Sequence, residues 1–150
     1  MEKRFELFTT AIAKISRNIR KIKSEEVASI NLDLKGPHVS CLYYLYKHKK
    51  LTLKELSLVC DEDKAAISRS IDYLEHNLYI EFENKQEKHY KSTLKLTKKG
   101  EIIAKQINEK INEMVNLASN GLSEEKRKNF YESLILISNN LQKLTDKYGA

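Results

Sequence analysis

The sequence has 150 residues, a formal net charge of +6 and 41% hydrophobic residues, with only four glycines and one proline. This composition allows one folded domain and argues against a disordered chain. No apolar run approaches the roughly 20 residues that span a bilayer, and the first residues lack a signal-peptide core, so we expect a cytoplasmic protein with no membrane partner. The positive charge favours an anionic partner.

The first predicted element is a long amphipathic helix. Its apolar residues recur every three or four positions, at Phe5, Phe8, Ile12, Ile15, Ile19 and Ile22. A stripe this narrow is typical of a helix that packs against other helices. Gly36-Pro37 then opens a second helix, predicted from His38 to about His48.

Two short helices follow. The first starts within residues 51–55 (Leu-Thr-Leu-Lys-Glu), where Thr52 can cap the helix and Glu55 can return the hydrogen bond, which is a capping box. Residues 61–63 are acidic and supply a cap for the second helix, predicted from Lys64 to about His76. Its inward side is predicted to carry Ala66, Ile67, Ile71 and Leu74, with Leu78 as a further candidate, and its polar side Lys64, Ala65, Ser68, Arg69 and Asp72.

After Asn77 the apolar period changes from 3.6 to 2, which indicates strands. Residues 79–83 and 90–96 alternate, and the polar residues 84–88 between them indicate a turn. We therefore predict a β-hairpin, or wing. The hairpin and the residues directly after it are rich in lysine, and Glu87 is the single acidic residue that opposes this charge. The lysines are Lys85, Lys88, Lys91, Lys95, Lys98 and Lys99.

Two more helices are predicted after the hairpin. Thr97 can cap one that ends at Asn120-Gly121, and Ser123 can cap the last. The last helix repeats the narrow stripe, which predicts a homodimer held by helices from both ends of the chain. The predicted dimerisation residues are Phe5, Phe8, Ile12, Ile15, Phe130, Leu134, Ile137 and Leu141. Alternatively, the terminal helices complete the core of a monomer.

Two short helices followed by a hairpin have the order of a winged helix-turn-helix, whose second helix enters the DNA major groove. We therefore predict double-stranded DNA as a partner. The predicted contacts of the second helix are Lys64, Ala65, Ser68, Arg69 and Ser70, and those of the helix start and wing are Thr52, Lys54, Lys85, Lys88, His89 and Lys91. The alternative is a small helical domain with a solvated polar face.

Three segments together resemble a MarR-type transcriptional regulator over nearly the whole chain. They are residues 51–56 (Leu-Thr-Leu-Lys-Glu-Leu), residues 66–75 (Ala-Ile-Ser-Arg-Ser-Ile-Asp-Tyr-Leu-Glu) and residues 96–100 (Leu-Thr-Lys-Lys-Gly). The second and third are the most specific. In this family the wing usually carries an Asp-x-Arg motif, whereas Lys88-His89-Tyr90 occupies that register here, so the wing contacts are expected to differ.

The resemblance implies a mainly α fold with a small β-hairpin in one MarR-like domain. It assigns residues 35–100 to the winged helix-turn-helix, 97–120 to a connecting helix, and 1–34 and 122–150 to dimerisation. It also implies a sequence-specific regulator, usually a repressor, that binds a pseudo-palindromic operator as a homodimer until an effector intervenes. The alternative is a winged-helix dimer that binds other proteins and DNA only weakly.

Other chemistry has little support in the sequence. His38 and Cys41 lie three residues apart, which suits a metal pair or an activated thiol, but no third ligand has matching spacing. We predict no metal and no cofactor, and we expect Cys41 and Cys60 to be reduced core thiols. Phosphate loops, nucleophile elbows and metalloprotease motifs are absent, so we predict no enzymatic activity.

Overall fold

The computed structural model describes residues 2–30, 33–60, 62–84 and 91–149, with the backbone alone for residues 2, 3 and 5. The elements in these ranges follow the order α1 (Glu2–Ser29), α2 (Gly36–His48), β1 (Lys50–Thr52), α3 (Leu53–Val59), α4 (Lys64–His76), β2 (Ile80–Phe82), β3 (Thr93–Leu96), α5 (Lys98–Ala118) and α6 (Glu124–Asp146). The predicted mainly α architecture is confirmed. The chain forms two compact units, Met1–Asn112 and Glu113–Ala150.

The strands form one antiparallel sheet in the order β1-β3-β2. Leu94 in the central strand pairs with Leu51 on one side and Phe82 on the other, and all three side chains are buried. Leu51 is held in the sheet, and the helix starts at Leu53, directly after its predicted cap Thr52. The predicted hairpin is confirmed as β2 and β3, with β1 added to its edge.

The core of the first unit is formed by apolar side chains from every element around α2. The largest fully buried ones are Leu42, Leu45, Leu56, Ile67, Leu74, Ile80, Leu94 and Ile107. Leu78 was predicted to face inward, but it is 68% exposed. Its backbone has φ +60° because the chain turns out of α4 there, and Tyr79 takes the buried place instead.

The start of α2 is fixed against α4. The Lys35 backbone N–H donates to His38 Nδ1 at 2.9 Å, and the His38 ring stacks on Tyr73 of α4 with ring centroids 4.3 Å apart. Burial, followed by the nearby charge of Lys35, lowers the pKa of His38. A neutral imidazole at this position accepts the hydrogen bond that starts the helix.

The second unit contains the end of α5 and the whole of α6. Gly121 has φ +86° in the turn between them, and Ser123 caps α6 by accepting the Lys126 N–H at 3.3 Å, as predicted. None of the side chains of α6 is buried. Among the described residues, no helix is long and apolar enough to cross a membrane.

Candidate nucleic-acid interface

The start of α3 is fixed by a reciprocal cap. Thr52 Oγ1 accepts the Glu55 N–H at 3.2 Å, and Glu55 Oε2 accepts the Thr52 N–H at 2.8 Å and its hydroxyl at 2.9 Å. The predicted capping box is therefore confirmed. The Thr52 N–H, followed by the Thr52 hydroxyl, lowers the pKa of Glu55. The Thr52 side chain is thus already engaged within the protein, whereas Lys54 next to it is exposed.

The exposed face of α4 carries most of the residues predicted to contact DNA. Asp63 Oδ1 accepts the Ala66 N–H at 2.8 Å and caps the helix, while Ile67, Ile71 and Leu74 bury the opposite face. The exposed residues of the first turns are Lys64, Ala65, Ser68 and Arg69. They share one side of the helix, as the sequence predicted.

Ser70 does not belong to this face. Its side chain is 3% exposed, and its hydroxyl donates to the Ala66 carbonyl at 2.7 Å. The prediction that Ser70 contacts DNA conflicts with this burial. The error arose because Ser70 lies beside Arg69 in the sequence, although successive helical residues are about 100° apart around the axis.

The exposed face of α4 keeps its positive charge available. In the described part of the chain, neither Lys64 nor Arg69 takes part in a salt bridge. The acidic residues on the same side, Asp72 and Glu75, lie about one and two turns beyond Ser68. A cationic, small-residue surface at the start of an exposed helix suits a polyanion that approaches closely.

The base of the wing is held together by Glu83. Its carboxylate contacts Lys50 Nζ from β1 at 2.5 Å and accepts the Thr93 hydroxyl from β3 at 2.5 Å. The Lys50 ammonium, followed by the Thr93 hydroxyl, lowers the pKa of Glu83. Next to it, the buried Ser92 hydroxyl accepts the Asn84 N–H at 3.1 Å. These contacts join all three strands at the point where the chain leaves for the tip.

Not every lysine of the wing is available to a partner. Lys95 pairs with Glu81 on the neighbouring strand at 3.3 Å. Lys91 is exposed. Lys85, Lys88, His89 and Tyr90 lie outside the described residues, so the predicted tip contacts and the register in which the Asp-x-Arg motif is missing stay predictions.

Comparison with known proteins identifies the fold. No protein-family model matches the sequence, and no curated protein matches it. Solved structures do match. A MarR family regulator from Neisseria meningitidis aligns with TM-score 0.79 and 18% identity, covering 96% of this chain and 97% of that one. MarR from Staphylococcus aureus, solved with salicylate and kanamycin, has TM-score 0.78 and 22% identity over 95% of both chains. The S. aureus regulator MepR in its DNA-binding conformation has TM-score 0.77 and 19% identity, over 89% of this chain and 98% of that one.

The chain has the MarR winged-helix fold. Its α3 and α4 occupy the helix-turn-helix of that fold, and β2 with β3 forms the wing. The likeness covers nearly the whole chain, as the sequence resemblance did.

The contact between Cys41 and Cys60 could not be predicted from the sequence. The thiols of Cys41 in α2 and Cys60 at the end of α3 are both buried and free, as expected, but they also share a hydrogen bond. That hydrogen bond and burial raise the pKa of Cys41 well above its ordinary value, which keeps it a protonated thiol. The residues are 19 positions apart, and no short spacing signals the contact.

The His38–Cys41 pair does not extend to a metal site in the described residues. His38 Nδ1 accepts a backbone N–H, and no group of three metal-binding side chains comes together there.

Proposed function

We propose that the protein is a sequence-specific, double-stranded DNA-binding transcriptional repressor that acts as a homodimer and is released by an effector. The observation that carries this proposal is the exposed face of α4, where Lys64, Ser68 and Arg69 project together and form no ion pair with any residue that the structure describes. The wing beside it, with the strand order β1-β3-β2, is part of the fold that this chain shares with solved MarR regulators.

The residue types on α4 suit the major groove. The side chain of Ala65 is small enough for the helix backbone to approach base edges, and Ser68 can donate or accept a hydrogen bond. Arg69 can reach a phosphate or make two parallel hydrogen bonds to guanine. Lys54, Lys91 and the tip residues Lys85, Lys88 and His89 then supply phosphate or groove contacts on either side.

The dimer proposal rests on the apolar stripe of α1. Its members are between 37% and 49% exposed in the single chain, although they repeat every three or four residues along one side, at Phe8, Ile12, Ile15, Ile19 and Ile22. A continuous exposed stripe of this kind is typical of an interaction surface. Phe130 and Leu141 of α6 are similarly exposed, whereas Leu134 and Ile137 are partly covered.

A second copy is the occupant that we propose for these stripes. Two recognition helices related by a two-fold axis would read two half-sites about one helical turn apart, as a pseudo-palindromic operator requires. In this division, residues 1–34 and 122–150 dimerise, residues 35–100 bind DNA, and residues 97–120 connect them. The side chain of Phe5 lies outside the described part of α1, and its role stays a proposal from the sequence.

Selection of bound sequences from random duplexes tests the DNA proposal. The protein should enrich a pseudo-palindrome, with an affinity that falls steeply as salt increases. Arg69→Ala should weaken binding to that duplex by about tenfold or more, whereas Arg17→Ala, a control on α1 with the same charge change, should not. Equal affinity of the Arg69→Ala variant would refute the assignment of α4. Capture of another protein with no enriched duplex would favour the protein-interaction alternative.

Sedimentation measurements test the dimer proposal. The protein should sediment at twice the protomer mass at micromolar concentration, and Ile15→Glu should shift it toward the protomer. Leu7→Glu is the matched control, because Leu7 is also exposed on α1 but lies off the stripe. A protomer-mass species for the unaltered protein would contradict the proposal.

The effector proposal rests on a groove between α2 and the first turns of α5. It is lined by Tyr46, Lys98, Glu101, Ile102 and Lys105. An aromatic ring and an isoleucine beside two lysines suit a small anion with an apolar body. Because MarR from S. aureus was solved with salicylate, salicylate is a reasonable probe. It should weaken operator binding by the unaltered protein but not by Lys105→Met, and equal effects on both would exclude this groove.

A reporter assay tests repression. Expression from a promoter that carries the selected duplex should fall when the protein is produced and recover with Arg69→Ala. Increased expression would indicate an activator instead.

A further inference from the structure

The carbonyl groups that follow α4 are bound by the residues that start α5. The Thr97 hydroxyl donates to the Leu78 carbonyl at 2.6 Å, and the Thr97 backbone N–H donates to the Tyr79 carbonyl at 3.1 Å. The Lys99 ammonium donates to the carbonyl of Asn77, the C-cap of α4, at 2.8 Å. We call this cluster the α4–α5 joint; it consists of Asn77, Leu78, Tyr79, Thr97, Lys99 and Gly100.

The Thr97 hydroxyl serves both sides of the joint. While it donates to the end of α4, its oxygen accepts the Gly100 N–H at 3.0 Å, which caps α5. The Thr97 hydroxyl oxygen therefore links the first turn of α5 to the backbone that follows α4. Replacing threonine with valine removes this oxygen and keeps the shape of the side chain.

Lys99 acts within the protein although it belongs to the lysine-rich segment after the wing. Its ammonium lies 4.3 Å from the centre of the Tyr79 ring in addition to its hydrogen bond with the Asn77 carbonyl. A cation at the C-terminal end of a helix also interacts favourably with the helix dipole. Its charge therefore stabilises the end of α4 and is not directed to a phosphate.

The backbone at Gly100 packs tightly against the rest of the α4–α5 joint. A Cβ on this glycine would lie 1.8 Å from the Tyr79 carbonyl oxygen, so the first turn of α5 sits directly on the backbone that follows α4. Close-packed backbones of this kind cannot slide past each other without breaking the hydrogen bonds described above. The C-terminal end of α4 and the start of α5 must move together.

We propose that Thr97 and Lys99 are positioning residues that fix the recognition helix to α5 and thereby set the half-site spacing that the dimer accepts. This inference rests on the proposed function, since it needs a dimer on DNA. Changing the spacing by one base pair moves a half-site by about 3.4 Å and rotates it by about 34°. A rigid joint would resist this displacement, whereas a loosened joint would tolerate it.

The test measures affinity for the selected duplex and for two versions with one base pair added or removed at the centre. The unaltered protein, Thr97→Ser and Lys99→Arg should each lose about tenfold or more when the spacing changes. Thr97→Val and Lys99→Met should lose about threefold or less. Lys21→Met removes the same charge from an exposed position on α1 that lies off the apolar stripe, and this variant should behave like the unaltered protein.

The outcomes separate the two proposals. If folded Thr97→Val and Lys99→Met discriminate between spacings as strongly as the unaltered protein does, the positioning role is wrong and the DNA proposal stands. If Thr97→Val does not fold, Lys99→Met decides the question. If the unaltered protein enriches no duplex at all, the proposed function fails and the positioning role with it.

Discussion

Replacing Gly100 with alanine should be one of the most damaging single-atom changes available in this chain. The added Cβ would lie 1.8 Å from the Tyr79 carbonyl oxygen and 2.8 Å from its carbonyl carbon. Ordinary van der Waals contact begins at 3.4 Å, so α5 would have to move by about 1.6 Å. The obstacle is backbone and cannot rotate away.

A shift of that size would break the hydrogen bonds from Thr97 to the Leu78 and Tyr79 carbonyls. At about 1 kcal/mol each, with the packing strain added, the free energy of unfolding should fall by about 3 kcal/mol or more. For a chain of this length, that corresponds to about 6–12 °C in Tm.

Thermal and denaturant unfolding at matched protomer concentration would measure the effect. Two other glycines provide controls. Gly36 has no atom within 4 Å of an added Cβ and no positive φ, so Gly36→Ala should leave the unfolding free energy within about 1 kcal/mol. Gly121 is equally open but has φ +86°, so Gly121→Ala should cost about 1–2 kcal/mol. A Gly100→Ala variant as stable as Gly36→Ala would refute the close approach of α5 to the Tyr79 backbone.

Three further predictions concern a strained turn, a buried imidazole and the lysines near the wing. Leu78→Gly should raise the unfolding free energy by about 0.5–1 kcal/mol, because Leu78 adopts φ +60° and is largely exposed. Denaturant titration measures this change, and a lower unfolding free energy for Leu78→Gly would contradict the prediction. The pKa of His38 is lower in the folded chain, so the unfolded chain binds the proton first as pH falls below about 6.5. The free energy of unfolding should therefore be full above that pH and decrease below it. Unfolding measured at several pH values should show a weaker pH dependence for His38→Gln. Lys64→Met should reduce the slope of log binding constant against log salt concentration by about 1.8 in operator binding, because each protomer loses one phosphate contact. Lys95→Met removes the partner of Glu81 instead and should leave this slope unchanged.

Local signals account for the parts of the fold that the sequence predicted well. Thr52 with Glu55, Asp63, Thr97 and Ser123 are caps whose hydrogen bonds depend on residues three positions away, and all four form as expected. The exposed face of α4 followed from helical periodicity in the same way. Periodicity failed at Leu78, where the helix had ended and the backbone turned to a positive φ.

Contacts between distant residues could not be predicted. The Cys41–Cys60 hydrogen bond joins two helices, and β1 pairs with a strand more than 40 residues later. The sequence identified residues 96–100 as a specific motif, but it did not show why these residues are needed. The reason is the Tyr79 carbonyl, which leaves room only for glycine at position 100.

The lysines near the wing differ in what they can contribute to the proposed DNA binding. Lys50 and Lys95 face the carboxylates of Glu83 and Glu81, and Lys99 faces the Asn77 carbonyl. A phosphate would have to displace these internal partners, so each such contact would gain less free energy than one from Lys64 or Arg69. These three lysines stabilise the sheet and the end of α4, whereas Lys64 and Arg69 on α4 form no salt bridge within the described residues and would meet a phosphate without giving one up.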